Sequence, residues 1–185
     1  DYTATQNIIL ADLKLDGLER KVLMQAPKNG FFYVLDRATG ELLSAEKYTY
    51  VNWAERVDLK SGRPVMTDKA NYQDGAQEIW PSTAGGHNWQ PMAYNPDTGL
   101  VYIPVLELPM TFRTHKEVNY QPGTNLVGAK ASPPSPKKPH ERRIFKSVLK
   151  AWDPVAQQEV WQAEALPWWS GGVLTTASGL VLQGS

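Results

Sequence analysis

The chain has 185 residues, enough for one domain with a real core. Its 19 basic residues balance 19 acidic ones, which argues against nucleic acid or an anionic membrane as the natural partner. It contains no cysteine, so there is no disulfide framework and no thiolate metal site. No apolar run approaches the roughly 20 residues of a membrane span, no signal peptide is visible, and the first residue is Asp1 rather than Met.

Fourteen glycines and fourteen prolines punctuate a chain rich in aromatic and β-branched residues, a composition of short strands rather than helices. Asn7–Leu13 reads as a strand, and Asp16-Gly17 is a hairpin signal. Arg20–Ala26, Phe31–Asp36 and Glu41–Ala45 follow as strands. Four short antiparallel strands joined by tight turns make one propeller blade. Between the second and third lies Pro27-Lys28-Asn29-Gly30, a turn because Asn-Gly readily takes positive φ. Lys28 sits at its tip. On physics alone such a lysine is solvated and idle.

Tyr48–Trp80 reads as an excursion, polar and loop-like at Asn71–Gly75, with no evident chemistry. In Trp80–Pro96, Gly85-Gly86 allows close backbone approach, and His87-Asn88-Trp89 precedes a strand. His87 is expected to hydrogen-bond backbone in a tight loop. No second His or Cys stands at a metal-ligand spacing, which argues against zinc. Met92–Asn95 and Leu100–Val105 form a hairpin. From Glu107 to Arg143 the pattern dissolves, and Ala131–Pro139 is too proline-rich for a helix or a central strand. It reads as a long solvated surface loop. Ile144–Asp153 and Gln158–Ala163 make another hairpin, with Trp152 and Trp161 as packing residues.

Three stretches carry a family resemblance. Ala26-Pro27-Lys28-Asn29-Gly30-Phe31-Phe32-Tyr33-Val34-Leu35-Asp36-Arg37, followed by Thr39-Gly40, resembles the signature of the quinoprotein alcohol dehydrogenases, which use pyrroloquinoline quinone (PQQ). Gly86-His87-Asn88-Trp89-Gln90-Pro91-Met92 resembles a second segment of that family. Trp169-Ser170-Gly171-Gly172-Val173-Leu174-Thr175-Thr176-Ala177 resembles a third, with Ser170 in place of the usual asparagine. The turn at Asp153 followed by Trp161 is similar to the tryptophan-docking repeat that joins neighbouring blades. The turn at Asp36 departs from it, with Ser44 where the tryptophan would fall.

The resemblance implies an all-β fold, part of an eight-bladed β-propeller of antiparallel four-stranded blades. The chain, residues 1–185, would be a partial propeller domain of about three blades, roughly a middle third, with a long Pro-rich loop near 107–143. It implies oxidation of alcohols with PQQ and calcium. Lys28 would reach the ortho-quinone oxygens, and Asn88 and Trp89 would lie against the cofactor pocket. Trp169 would pack at that site or in ordinary propeller core. Asp1 matches the family's catalytic aspartate: beside calcium it stays ionised and takes the proton of the substrate alcohol. Its alternative is a frayed, solvated terminal residue. The remaining calcium ligands, and most contacts that stack on PQQ, are expected upstream of Asp1, so these residues alone are expected to bind PQQ poorly.

Lys28, where methanol dehydrogenases carry arginine, points to the broad-alcohol or quinohaemoprotein types. A haem c in a domain outside this chain, an acceptor such as a cytochrome c and a bacterial periplasmic location follow from the same resemblance. So does the need for the rest of the propeller, or other copies, to cover open blade edges. Two other readings stay open: a non-catalytic propeller scaffold or ligand-binding protein of the same ancestry, and a β-repeat module that binds peptides.

Overall fold

The structure is a computed structural model, and it describes residues 2–117, 120–123, 128–133, 145–165 and 170–184. Strands β1 (Ile9–Leu15), β2 (Leu18–Gln25), β3 (Phe31–Asp36) and β4 (Leu42–Lys47) form an antiparallel sheet in chain order. Alternation along β2 and β3 decides its inner face: Val22, Met24, Phe32 and Val34 are fully buried. Asp16 and Gly17 both take positive φ, 51° and 81°, so the β1–β2 hairpin closes as expected. At the β2–β3 turn only Gly30 does, with φ 93°. Asn29 contributes differently from the expectation: its Oδ1 accepts from Phe31 N–H at 3.1 Å.

A second four-stranded antiparallel sheet contains β8 (Ala93–Asn95), β9 (Leu100–Glu107), β12 (Lys146–Asp153) and β13 (Gln158–Glu164), in the order β13-β12-β9-β8. Val101, Ile103, Val105, Val148 and Trp152 face the inner side of the first sheet and share one core with it. Trp152 meets Phe32 there, with ring centroids 5.8 Å apart. The opposite face of the second sheet, at Tyr102 and Ala151, packs on a hairpin of β14 (Val173–Thr175) and β15 (Val181–Gln183). Trp161 lies against Tyr102 on that side.

Two segments are more ordered than their composition suggests. In the excursion after β4, β5 (Ala54–Asp58) and β6 (Arg63–Met66) pair as a hairpin. Its Ala54 and Val57 cover Phe31 and Ala45 on the outer face of the first sheet. A single 3₁₀ turn, Asp68–Ala70, then leads to β7 (Gln77–Ile79). Within the stretch read as a surface loop, β10 (Met110–Thr114) and β11 (Ala129–Ser132) join β7 in a three-stranded sheet, β11-β10-β7. Phe112 supplies the apolar anchor, stacked on Tyr72 at 5.7 Å. β11 stops at Ser132, directly before Pro133.

One turn recurs at the rim. Asp36 Oδ1 accepts from Ala38 and Thr39 N–H, Asn95 Oδ1 from Asp97 and Thr98 N–H, and Asp153 Oδ1 from Val155 and Ala156 N–H. Those bonds, first to Ala38 and Thr39, hold the Asp36 carboxyl below its ordinary pKa, and Arg20 adds to them. The stabilisation is therefore complete above about pH 4 and is lost as pH falls through the lower folded value. Asn95 makes the same turn without a charge. Asp36→Asn is expected to keep the turn and to flatten the loss of stability on acidification, as read from urea midpoints at neutral pH and near pH 3.

Candidate functional site

The turn Ala26–Gly30 is buried at most of its backbone, so its carbonyls need donors. Four accept one from outside the turn. Tyr48 Oη donates to Pro27 O at 2.7 Å, Gly86 N–H to Lys28 O at 3.0 Å, Trp53 Nε1–H to Asn29 O at 3.1 Å, and Tyr48 N–H to Gly30 O at 3.0 Å. The fifth, Ala26 O, lies 2.8 Å from His87 Nδ1. Lys28 itself is half-buried, and among the described residues its Nζ has no hydrogen-bond or ion-pair partner. The turn is fully tied down while its cation stays free.

Opposite stands the loop between β7 and β8. A Cβ on Gly85, which has φ +82°, would sit 2.5 Å from Lys28 Cβ, and one on Gly86 would sit 2.9 Å from Tyr48 Oη. The glycine pair thus lets two loops interlock. His87 is buried, as its surroundings in the sequence imply, with Nε2 2.6 Å from Gln90 O and Nδ1 facing Ala26 O. Burial drives its pKa down, outweighing the carbonyls of Gln90 and Ala26 that pull it up. Asn88 closes its own turn: Nδ2 donates to Ala84 O at 2.7 Å and Oδ1 accepts from Trp89 N–H at 2.8 Å. One Nδ2 hydrogen remains for a ligand. The Trp89 indole is 64% exposed.

The third stretch packs on the second. Val173 N–H donates to Pro91 O at 2.8 Å, Gly172 leaves room for the Pro91 ring, and Ser170 lines the same small cavity as Asn88. Lys28, Asn88 and Trp89 are therefore carried by loops in direct contact. Asp1 and Trp169 lie outside the described residues. Their neighbours are placed: Tyr2 donates to Pro81 O at 2.7 Å and stacks on Trp53 at 5.4 Å, beside the lysine turn. Burial chiefly, and then Tyr72, push the Tyr2 pKa up. Among the described residues no group of three or more His, Asp or Glu side chains is placed to hold a metal. Sequence reading overlooked Tyr48 and Trp53. The usable signal is that a tyrosine or tryptophan inside a core brings a hydrogen-bond donor that must find an acceptor.

The arrangement offers an ammonium without a partner among the described residues, on a turn whose carbonyls are held, together with a spare amide N–H and an open indole face. That set suits a flat group with electron-rich oxygens at its edge. Comparison with known proteins gives the same class: over its whole length the chain is homologous to a segment of the quinohaemoprotein alcohol dehydrogenases. It is 47% identical over 192 residues to quinohemoprotein alcohol dehydrogenase ADH IIB of Pseudomonas putida, covering 100% of this chain and 26% of that protein. It is 39% identical over 191 residues to 1-butanol dehydrogenase (cytochrome c) of Thauera butanivorans, covering 100% of this chain and 27% of that one. The solved structure of quinohemoprotein alcohol dehydrogenase ADHIIG from Pseudomonas putida superposes with a TM-score of 0.91 at 43% identity, over 100% of this chain and 28% of that one. The chain thus spans about a quarter of the length of the relatives it matches. No protein-family model matches it.

Gly85→Ala is expected to displace Lys28, because the new Cβ would overlap the lysine's Cα and Cβ at positive φ. The expected cost is on the order of 1–3 kcal/mol. Urea denaturation, with the NMR signals of the Lys28 side chain, checks both effects.

Proposed function

We propose that this chain supplies the lysine-bearing wall of the quinone site in a PQQ- and calcium-dependent alcohol dehydrogenase. The observation that carries the reading is Lys28: a half-buried ammonium with no protein partner among the described residues, on a turn whose carbonyls are all engaged. An unpaired charge in that setting is costly unless something else meets it.

PQQ, when bound, supplies the two-electron acceptor for the hydrogen leaving the alcohol carbon. Lys28 would hold the electron-rich edge of that group by a charge-assisted hydrogen bond, the kind of donor that favours added negative charge. Asn88 adds its spare N–H. Trp89 offers a flat apolar face, and Trp169, assigned to the same site by the family resemblance, would help it exclude water. Asp1, kept ionised by calcium, takes the hydroxyl proton of the substrate. Lys28 rather than arginine places the activity with broad-range alcohols, and the relative named for cytochrome c supports such an acceptor. A haem c domain outside these residues and a periplasmic location complete the proposal.

The test is calcium- and PQQ-dependent reduction of a dye by ethanol, with a polypeptide that contains this sequence. Lys28→Ala is expected to lower the rate by about 100-fold or more, the scale of losing an electrostatic donor at a developing anion. Undiminished activity in that variant would remove Lys28 from the site. No response to PQQ in the unaltered protein would leave the scaffold reading in its place.

A further inference from the structure

Among the described residues, Lys150 is the one buried charge whose purpose the fold alone does not explain. It lies mid-strand in β12, 6% exposed, on the face that carries Val148 and Trp152 into the shared core. Its Nζ lies 2.8 Å from Glu159 Oε2 on β13 and donates to Tyr48 O at 2.8 Å, on the end of the other sheet. Only the lysine side of this pair is buried, Glu159 being exposed, and a buried charge is a poor device for stability, since an apolar side chain of equal volume often does as well or better. An apolar residue at position 150 would fill the core. It would not supply a donor to Tyr48 O.

Tyr48 is the residue that holds the lysine turn twice, by its N–H to Gly30 O and its Oη to Pro27 O. Its side chain is fully buried beneath Gly86. The carbonyl lies in the peptide after Tyr48 and the N–H in the peptide before it, so Lys150 acts on the turn by anchoring the residue: a shift of Tyr48 as a whole would move both bonds together. We propose that Lys150 is a positioning residue for Lys28: oriented by Glu159, it fixes the Tyr48 carbonyl, and Tyr48 fixes the turn that presents the lysine. The chain of contacts runs from the second sheet to the turn of the first, across 102 residues of sequence between Lys150 and Tyr48. Its importance for activity rests on the quinone-site reading, whereas the mechanical link does not.

Hydrogen exchange of the full protein tests the link without any quinone, in peptides covering 26–31, 46–50 and 84–88. Lys150→Met is expected to speed exchange about tenfold or more at Tyr48 and Gly86, whose N–H groups hold the turn. Core amides of β3 and β9 are expected to stay as they were. Lys150→Arg, which keeps a donor, is expected to restore most of the protection, a rescue that mere core filling would not give. Glu159→Gln keeps the fold's volume and is expected to give a smaller, severalfold rise at the same two amides, which serves if Lys150→Met does not fold. Unchanged exchange at Tyr48 and Gly86, or a uniform rise through the core strands, would overturn the proposal. Neither result bears on Lys28→Ala in the dye assay, so the two ideas fail separately.

Discussion

A backbone carbonyl taken out of water without a donor costs about 1–3 kcal/mol, more than most side-chain contacts return. The turn Ala26–Gly30 exposes five such groups to this demand within five residues. A turn can satisfy few of them by itself, and here the internal bond is Gly30 N–H to Pro27 O at 3.3 Å. The rest must come from elsewhere. Tyr48, Trp53, Gly86 and His87 are those sources, and they belong to two other places in the chain, the segment after β4 and the loop before β8. Much of the surrounding architecture follows. The hairpin β5–β6 brings its base next to Trp53, and the β7–β8 loop must reach across to the turn. Gly85 and Gly86 have to be glycine for that loop to fit.

The same constraint separates two kinds of residue at the site. His87 and Tyr48 spend their polar atoms on backbone and are buried, so they shape the site without facing a ligand. Lys28 and Trp89 have functional groups left over. Asn88 stands between, with most of its carboxamide consumed by its own turn. Chemistry of the proposed kind needs both classes. A lysine on a loose turn would lose its orientation as readily as it gained a partner, and preorganisation is what gives a single donor its weight.

Much of this was legible in the residues. Asp16-Gly17, the alternation of Phe31 to Asp36 and the Gly-Pro punctuation gave the antiparallel all-β organisation, and the second of the three family-like stretches turned out to touch both of the others. The Asp turns at positions 36 and 153 were visible too, the latter with Gln157 at φ 54° in place of a glycine, whereas the Asn95 copy read only as a hairpin connection. What resisted reading was tertiary in origin. Strands β10 and β11 have weak local patterns and exist because β7 offers an edge and Phe112 finds Tyr72. Tyr48, Trp53 and Lys150 look like ordinary packing or surface residues until the carbonyls they serve are placed. No local rule links Lys150 to a turn on the other sheet.

The separation of those partners along the chain sets an order of assembly. Pro27 and Tyr48 are 21 positions apart, Asn29 and Trp53 24, Ala26 and His87 61, and Tyr48 and Lys150 102. Contacts that far apart close late, because loop entropy must be met before they return anything. The first sheet can form from neighbours alone, with its lysine turn still incompletely held. The turn reaches its final shape only when the second sheet has folded and docked. During synthesis, the part of the molecule that looks most local in sequence is therefore among the last to set.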